Sequence, residues 1–174
     1  MNQTISDNYL KLQKKLHKNP NYGVASIGFA SSVKKIIEEA KLSSISDYGA
    51  GKKNLQKTLN NLGLNNCQYY PYDPAFPEYG PPKEADLVCC IDVLEHIEEI
   101  FLDNVLNDLK KITKKLGFFT IHTGPAVKIL EDGRNAHLIQ KPPSWWLPKM
   151  CSKFEIKHLQ EIPNGFILLT KFKE

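Results

Sequence analysis

A glycine turn between an apolar strand and a helix is the feature that most restricts the fold of this chain. Residues Ser44 to Tyr48 predict a buried strand, and Gly49 and Gly51 follow it directly. Glycine has no Cβ, so the chain can turn there with positive φ and a ligand can lie on the backbone. The next apolar residues recur at i, i+4 and i+7, as in a helix that packs on a sheet: Leu55, Leu59 and Leu62. A strand, a glycine turn and a helix N-terminus together are typical of a nucleotide site, where free N–H groups and the helix dipole meet the ligand.

The same turn carries a family resemblance. Asp47, Gly49 and Gly51 form a D-x-G-x-G pattern, which resembles motif I of the class I S-adenosylmethionine-dependent methyltransferases. The resemblance implies S-adenosyl-L-methionine as the cofactor, with Asp47, Gly49, Ala50 and Gly51 beside its methionine part. Lys53 departs from the pattern, because many members have a third glycine there. On pattern alone, a tight structural turn without a ligand is the alternative.

A second stretch, from Ala85 to Ile97, is more specific. Its apolar run up to Asp92 predicts a strand that is buried on both faces of a parallel sheet. The whole stretch, D-L-V-C-C-I-D-V-L-E-H-I, resembles the segment after the fourth strand of the same methyltransferases. The resemblance implies that Asp92 and Val93 lie beside the cofactor and that Glu95 and His96 open the next helix. A favourable charge at a helix N-terminus and a packed helix residue are the structural interpretations of Glu95 and His96.

An aspartate ends the strand predicted between these two stretches. That strand covers residues 66–73, and Asp73 lies 22 residues after Gly51. A carboxylate at this edge can accept hydrogen bonds from both ribose hydroxyls of a nucleotide, so we interpret Asp73 as a cofactor residue. A turn-starting aspartate before Pro74 is the structural alternative. Residues 74–84 hold four prolines and predict a rigid loop, which leaves little room for a third strand and its helix.

The remaining elements complete an α/β fold. A helix is predicted to run to Leu116, with Gly117 as its left-handed stop and residues 118–122 as the next strand. Two apolar runs, Phe154 to Ile162 and Gly165 to Phe172, flank a turn and predict a hairpin. We therefore predict a doubly wound, mostly parallel, Rossmann-like sheet with a C-terminal antiparallel hairpin, the feature that distinguishes class I methyltransferases.

A chain of 174 residues is expected to form one domain. We divide residues 1–174 into an N-terminal helical cover, a cofactor-binding core, a lid or substrate segment and a hairpin: 1–43, 44–123, 124–152 and 153–174. The first part is predicted to hold a helix capped by Ser6 and a second helix from about Ser32 to Lys41. Tyr22, between them, fits a connecting loop better than a segment closing over the cofactor.

The segment from residue 124 to residue 149 holds both tryptophans and the only arginine. It follows a strand, so the fold directs it to the carboxyl edge of the sheet. We expect a small, anionic acceptor held by Arg134 and His137, with Trp145 as a flat apolar wall. His137 or His122 is the candidate catalytic base, because imidazole titrates near neutral pH. A structural cover with the tryptophans in its core is an equal alternative.

Charge and composition exclude several function classes. The net charge is +4, but the lysines are spread along the chain and there is one arginine, so a nucleic-acid partner is not expected. No apolar run approaches about 20 residues, which argues against a membrane span. Four cysteines without a C-x-x-C pair predict reduced thiols in a cytoplasmic protein. The predicted transfer needs no metal and we expect none, and the oligomeric state is not predicted.

The sequence thus favours a methyltransferase acting on a small-molecule acceptor, with two alternatives. A module that binds S-adenosylmethionine without transferring its methyl group would bind the cofactor but not consume it. An NAD(P)-dependent oxidoreductase is disfavoured, because Asn54 stands where the dinucleotide pattern has its third glycine.

Overall fold

The computed structural model describes residues 3–173, which form one six-stranded sheet with helices on both faces. The α-helices are α1 (Asp7–Leu16), α2 (Ala25–Glu39), α3 (Asn54–Asn61), α4 (Leu102–Ile112) and α5 (Pro143–Lys153). The strands are β1 (Ser44–Tyr48), β2 (Gln68–Tyr72), β3 (Ala85–Ile91), β4 (Thr113–His122), β5 (Phe154–Ile162) and β6 (Gly165–Phe172). Short 3-10 turns occur at Pro77–Tyr79, Leu94–His96 and Glu99–Phe101.

The strand order is β2-β1-β3-β4-β6-β5. The first four strands are parallel, and β6 runs antiparallel to both β4 and β5. The predicted hairpin is confirmed, with Asn164 in the left-handed region at its turn (φ 59°). Only a 3-10 turn separates β2 from β3, which agrees with the expected loss of a strand and helix there. The result is the predicted doubly wound, mostly parallel sheet in a reduced form.

Strand β3 shows why its sequence is apolar throughout. All seven of its residues are buried. Val88 and Cys90 face the core formed with α4 and α5, whereas Leu87, Cys89 and Ile91 face the core formed with α2 and α3. A central parallel strand covered on both faces has no solvent side, so it needs no polar alternation.

A third, smaller core joins α1 to the segment after β4. Tyr9, Leu130 and Ala136 are its buried members. Partly buried residues around it are Ile5, Leu12, Leu16, Ala126 and Leu138. We call α1 together with residues 126–138 the cap. Ser6 caps α1 as predicted, since its Oγ accepts the Tyr9 N–H at 3.3 Å.

Three predicted boundaries were wrong. Helix α2 begins at Ala25 instead of Ser32. The turn that follows α1 ends at Gly23 (φ 72°), and Gly28 lies inside the helix without interrupting it. The helix predicted from Glu95 to Leu116 is confined to α4, with 3-10 turns before it and strand β4 after it. Gly117 therefore lies inside β4, paired with Thr170, and does not stop a helix.

The remaining predictions concern helix α5, the cysteines and membrane insertion. Helix α5 begins at Pro143, two residues earlier than predicted. All four cysteines are free thiols, of which Cys89 and Cys90 are buried and Cys151 is exposed. No helix within residues 3–173 is long and apolar enough to span a bilayer.

Close packing at Gly117 generates the first testable prediction. A Cβ there would lie 2.4 Å from the Phe119 ring and 2.6 Å from Thr170 Oγ1. We predict that Gly117→Ala lowers the free energy of unfolding by about 1–3 kcal/mol, because these neighbours must move. Urea unfolding measures this change. The control is Gly28→Ala in α2, where nothing lies within 4 Å of the added Cβ, and where stability should stay equal or rise by about 0.5–1 kcal/mol. Equal effects of both substitutions would contradict the packing argument.

Candidate functional site

The glycine turn is tied to the end of the neighbouring strand. Gly49 and Gly51 have φ of 85° and 48°, as expected for turn glycines. The N–H groups of Gly49 and Ala50 both donate to the Tyr72 carbonyl, at 2.7 and 2.9 Å. A Cβ on Gly49 would lie 2.4 Å from Val93 Cγ2, so only glycine allows this contact. Free N–H groups were expected at the turn. That expectation was wrong for Gly49 and Ala50, whose N–H groups are already hydrogen-bonded within the protein.

Asp73 completes the attachment of the turn. Its Oδ2 accepts the Gly51 N–H at 2.9 Å and its Oδ1 accepts the Ala75 N–H at 2.8 Å. The carboxylate is 8% exposed, and His17 Nε2 lies 3.9 Å from Oδ2. Burial raises the pKa of Asp73 and lowers the pKa of His17. Asp73 therefore starts a turn, as the structural interpretation predicted. It also lines the same cavity as the glycines.

Asp47 is a second buried carboxyl at this edge. It lies within β1, one residue before the end of the strand, and only 3% of its surface is exposed. Tyr69 donates its hydroxyl to Oδ2. Burial raises the pKa of Asp47 to about 7, and the nearby charge of Asp73 adds to the effect. A cation placed near this carboxyl would lower its pKa and recover part of the cost of burial.

Asp92 and Val93 follow β3, and Val93 contacts Gly49 of the glycine turn. Asp92 has a φ of 50°, an unusual conformation for a residue with a side chain. Thr120 holds it there: its Oγ1 donates to Asp92 Oδ1 at 2.5 Å, and its carbonyl accepts the Asp92 N–H at 3.1 Å. Such local strain, fixed by surrounding bonds, is often found at binding sites.

These residues line one cavity of about 480 Å³ at the carboxyl edge of the sheet. All seven residues predicted to bind the cofactor are in its wall: Asp47, Gly49, Ala50, Gly51, Asp73, Asp92 and Val93. Both predicted catalytic histidines, His122 and His137, also line it. The volume is in the range of small-molecule and cofactor sites, about 300–1,000 Å³.

Arg134 and Trp145, the predicted acceptor residues, do not line this cavity. Arg134 Nη2 lies 2.7 Å from Asp132 Oδ2, with 44% of its side chain exposed. Its guanidinium also lies 5.5 Å from the centre of the Tyr9 ring. Trp145 is on α5 and packs against the core formed with α4 and α5. Lys149 Nζ lies 4.5 Å from the centre of its ring. A local ion pair and core packing therefore account for both residues.

Three histidine rings meet on the wall of the cavity. The His137 ring centre lies 4.7 Å from that of His96 and 4.7 Å from that of His122. Burial lowers the pKa of His96 to about 4 and also lowers that of His137. Both rings are therefore neutral at physiological pH, and a neutral imidazole can accept a proton or bind a metal.

Sequence reasoning missed the cavity residues on α1 and at its C-cap, His17. Tyr9, Gln13 and His17 all line the cavity, and Tyr22 lies beside them. Tyr22 donates its hydroxyl to Gln13 Oε1 at 3.1 Å, and Gln13 Nε2 donates to the Tyr9 hydroxyl oxygen at 2.6 Å. The spacing i, i+4, i+8 of Tyr9, Gln13 and His17 places them on one helix stripe. That polar and aromatic stripe was the available signal. Tyr22 lies in the loop that connects α1 to α2, as expected, and it also lines the cavity.

The strand order, the antiparallel β6 and the edge cavity together define the class I methyltransferase fold. No protein-family model and no curated protein sequence matches the chain. Solved structures do match it, at identities that establish the fold alone.

One is the 1,6-didemethyltoxoflavin-N1-methyltransferase of Burkholderia thailandensis, with a TM-score of 0.66 and 12% identity over 100% of this chain and 94% of that one. Another is the N-methyltransferase NodS of Bradyrhizobium japonicum, with a TM-score of 0.57 and 9% identity over 97% of this chain and 100% of that one. Human N-acetylserotonin methyltransferase matches with a TM-score of 0.58 and 13% identity over 95% of this chain and 62% of that one.

The buried carboxyl of Asp47 makes stability depend on pH. Its pKa rises from 3.8 in the unfolded chain to about 7 in the folded protein. Between these values the folded state holds a proton that the unfolded state has lost, so the contribution of Asp47 to stability falls as pH rises through this window. We predict that Asp47→Asn is more stable than the parent by roughly 2–4 kcal/mol at about pH 8, and less so at about pH 5. Urea unfolding at both pH values measures the difference.

Asp86 provides the matched control, because hydrogen bonds from Ser43 lower its pKa. A carboxyl with a lowered pKa stabilises the folded state at neutral pH and loses that contribution in acid. Asp86→Asn should therefore be destabilising at about pH 8, the opposite sign to Asp47→Asn. A stability gain of Asp47→Asn that does not change with pH would contradict the assignment.

Proposed function

We propose that this protein is an S-adenosyl-L-methionine-dependent methyltransferase that acts on a small-molecule acceptor. The observation that carries the proposal is the edge cavity, in which the glycine turn, Asp73 and Asp92 meet. The neighbours support it, since the 1,6-didemethyltoxoflavin-N1-methyltransferase and NodS were crystallised with S-adenosylhomocysteine and the human enzyme with SAM.

The hydrogen-bonding capacity of the cavity fits this cofactor. Each Asp73 oxygen accepts one backbone N–H and keeps a free lone pair, so two ribose hydroxyls can still donate to the carboxylate. Asp47, buried and without a cationic partner among its hydrogen bonds, suits the positively charged amino group of the methionine part. Val93 packs on Gly49 and forms part of the wall of the same cavity.

The same bonds disfavour a nicotinamide dinucleotide. A dinucleotide places its pyrophosphate on free N–H groups of the glycine turn. Here the N–H groups of Gly49 and Ala50 are bonded to Tyr72, and that of Gly51 to Asp73. S-adenosylmethionine has no phosphate and does not need these donors.

Methyl transfer does not require the protein to form a covalent bond to the substrate. The bound cofactor supplies a methyl group on a positively charged sulfur, and its carbon–sulfur bond breaks as the acceptor's lone pair bonds to the methyl carbon. The chain must align the acceptor and take up any proton that it releases. His137 can do so, because its Nδ1–H donates to the Gly124 carbonyl at 2.8 Å, which leaves the Nε2 lone pair free. His122 is the second candidate.

The acceptor is small because the cap covers the cavity. Tyr9 and Gln13 of α1 and residues 126–128 of the cap line it, together with Thr4 and Ile5 just before α1. An anionic acceptor was expected because of Arg134, which is paired with Asp132 and does not line the cavity. We therefore propose no charge for the acceptor.

The function is tested with methyl-labelled S-adenosylmethionine and a small-molecule extract. Mass spectrometry should find S-adenosylhomocysteine and one labelled small molecule, both dependent on the protein. Cofactor binding without consumption across extracts would favour a regulatory binding module instead. Failure of calorimetry to detect any cofactor binding would contradict the proposal.

Asp73 offers the sharpest test of the cofactor position. We predict that Asp73→Ala weakens S-adenosylmethionine binding by about 1–3 kcal/mol, since the ribose hydroxyls lose their acceptor. Calorimetry gives the affinity, and thermal melting verifies the fold. Asp132→Ala is the control, because this exposed carboxylate bonds only within its own turn and to Arg134. Equal affinities of parent and Asp73→Ala would place the ribose elsewhere.

Arg134 tests the acceptor assignment. Because its guanidinium is exposed and paired with Asp132, we predict that Arg134→Ala leaves cofactor affinity and methyl transfer within about twofold of the parent. Initial rates with the acceptor found above provide the measurement. A loss of transfer with unchanged cofactor binding would restore Arg134 as an acceptor residue.

A further inference from the structure

A buried glutamate without a full set of partners lies behind the histidines. Glu95 is 0% exposed. Its Oε1 accepts the His122 N–H at 3.1 Å, but its Oε2 has no hydrogen-bond partner among residues 3–173. A buried carboxyl oxygen without a partner is costly, so its retention needs an explanation.

Two imidazoles face this carboxylate. One carboxylate oxygen of Glu95 and one ring nitrogen each of His96 and His137 lie within 4.8 Å of one another. Bonds of about 2.0–2.2 Å to a common ion would bring such atoms to about 3–3.5 Å apart.

Backbone carbonyls orient both rings for ligation. His96 Nδ1 lies 2.8 Å from the Ala136 carbonyl oxygen, and His137 Nδ1 lies 2.8 Å from that of Gly124. A carbonyl only accepts, so each Nδ1 carries the proton and each Nε2 presents a lone pair. Metal-binding histidines are commonly fixed in this way by a partner on their other nitrogen.

We propose that Glu95, His96 and His137 bind a divalent transition-metal ion at the wall of the cavity. Two neutral imidazoles and one carboxylate are a donor set that suits zinc and similar ions, whereas magnesium and calcium prefer oxygen ligands. The ion supplies the positive charge that the buried Glu95 carboxylate lacks. This inference replaces the expectation that no metal is used. It also leaves His122 as the candidate base, because a bound ion takes up the Nε2 lone pair of His137.

The open side of the ion faces the cavity. His96 and His137 line the cavity, whereas Glu95 lies behind them and is fully buried. A hydroxyl bound at the open position loses its proton more readily, as metal-bound water does. Resting on the proposed function, this position makes the acceptor an oxygen nucleophile that binds the ion directly.

The site is tested on the full chain after treatment with a chelator. Zn²⁺ titration by calorimetry should show one equivalent bound, and Co²⁺ should give a visible absorption band from nitrogen and oxygen ligands. Glu95→Gln, which keeps the side-chain shape, should weaken binding at least tenfold, as should His96→Ala and His137→Ala. Melting curves of each variant without metal verify that it is folded.

Two controls separate this site from surface binding. His158→Ala removes an exposed imidazole on β5, and Cys151→Ser removes the exposed thiol. Neither should change the affinity or the Co²⁺ spectrum. Less than about 0.1 equivalent bound by the parent, or binding lost only in these controls, would overturn the inference. A parent that binds one equivalent unaffected by Glu95→Gln would also overturn it.

The experiments distinguish a failure of the metal-site proposal from a failure of the proposed methyltransferase function. Removal of the ion should abolish transfer while S-adenosylmethionine affinity stays within about twofold. If the protein binds the ion but not S-adenosylmethionine, the proposed function fails and the metal site stands. If the metal-free protein transfers methyl groups at the parent rate, the ion has no role in the reaction.

Discussion

The burial of three carboxyl groups at one edge of the sheet is the constraint on which the site depends. Asp47, Asp73 and Glu95 are each less than 10% exposed, and burial raises the pKa of all three. Such groups cost stability unless a ligand or partner compensates them. Asp73 is partly compensated by the N–H groups of Gly51 and Ala75. Asp47 and Glu95 have fewer partners, and this is the reason for proposing a cationic cofactor beside Asp47 and a metal ion at Glu95.

The cap makes this edge a cavity. The small core between α1 and the segment after β4 brings Tyr9 over the site. In addition, Lys52 donates to the Tyr22 carbonyl at 2.9 Å, which holds the N-terminal segment against the glycine turn. The same segment after β4 supplies the carbonyls that orient His96 and His137. Covering the cavity and orienting its histidines are therefore two consequences of one packing arrangement.

The sequence predicted the edge of the sheet better than it predicted what covers that edge. Strand ends follow from apolar runs and glycine turns, so Asp47, Asp73 and Asp92 could be placed together before any coordinates. Contacts between α1 and the segment after β4 join residues more than a hundred positions apart, and no local pattern reveals them. Arg134 was misplaced although Asp132 stands two residues before it, because a nearby carboxylate competes with any ligand for the guanidinium. Gly117 suited a helix stop and a tightly packed strand equally well.

The most direct measurement is a crystal structure of the protein with S-adenosylhomocysteine. The account predicts that the ribose hydroxyls lie within hydrogen-bonding distance of the Asp73 carboxylate and that the homocysteine amino group lies near Asp47. Its sulfur should point toward the histidines on the cavity wall. A ligand bound outside this cavity, or one whose ribose contacts neither oxygen of Asp73, would contradict the account.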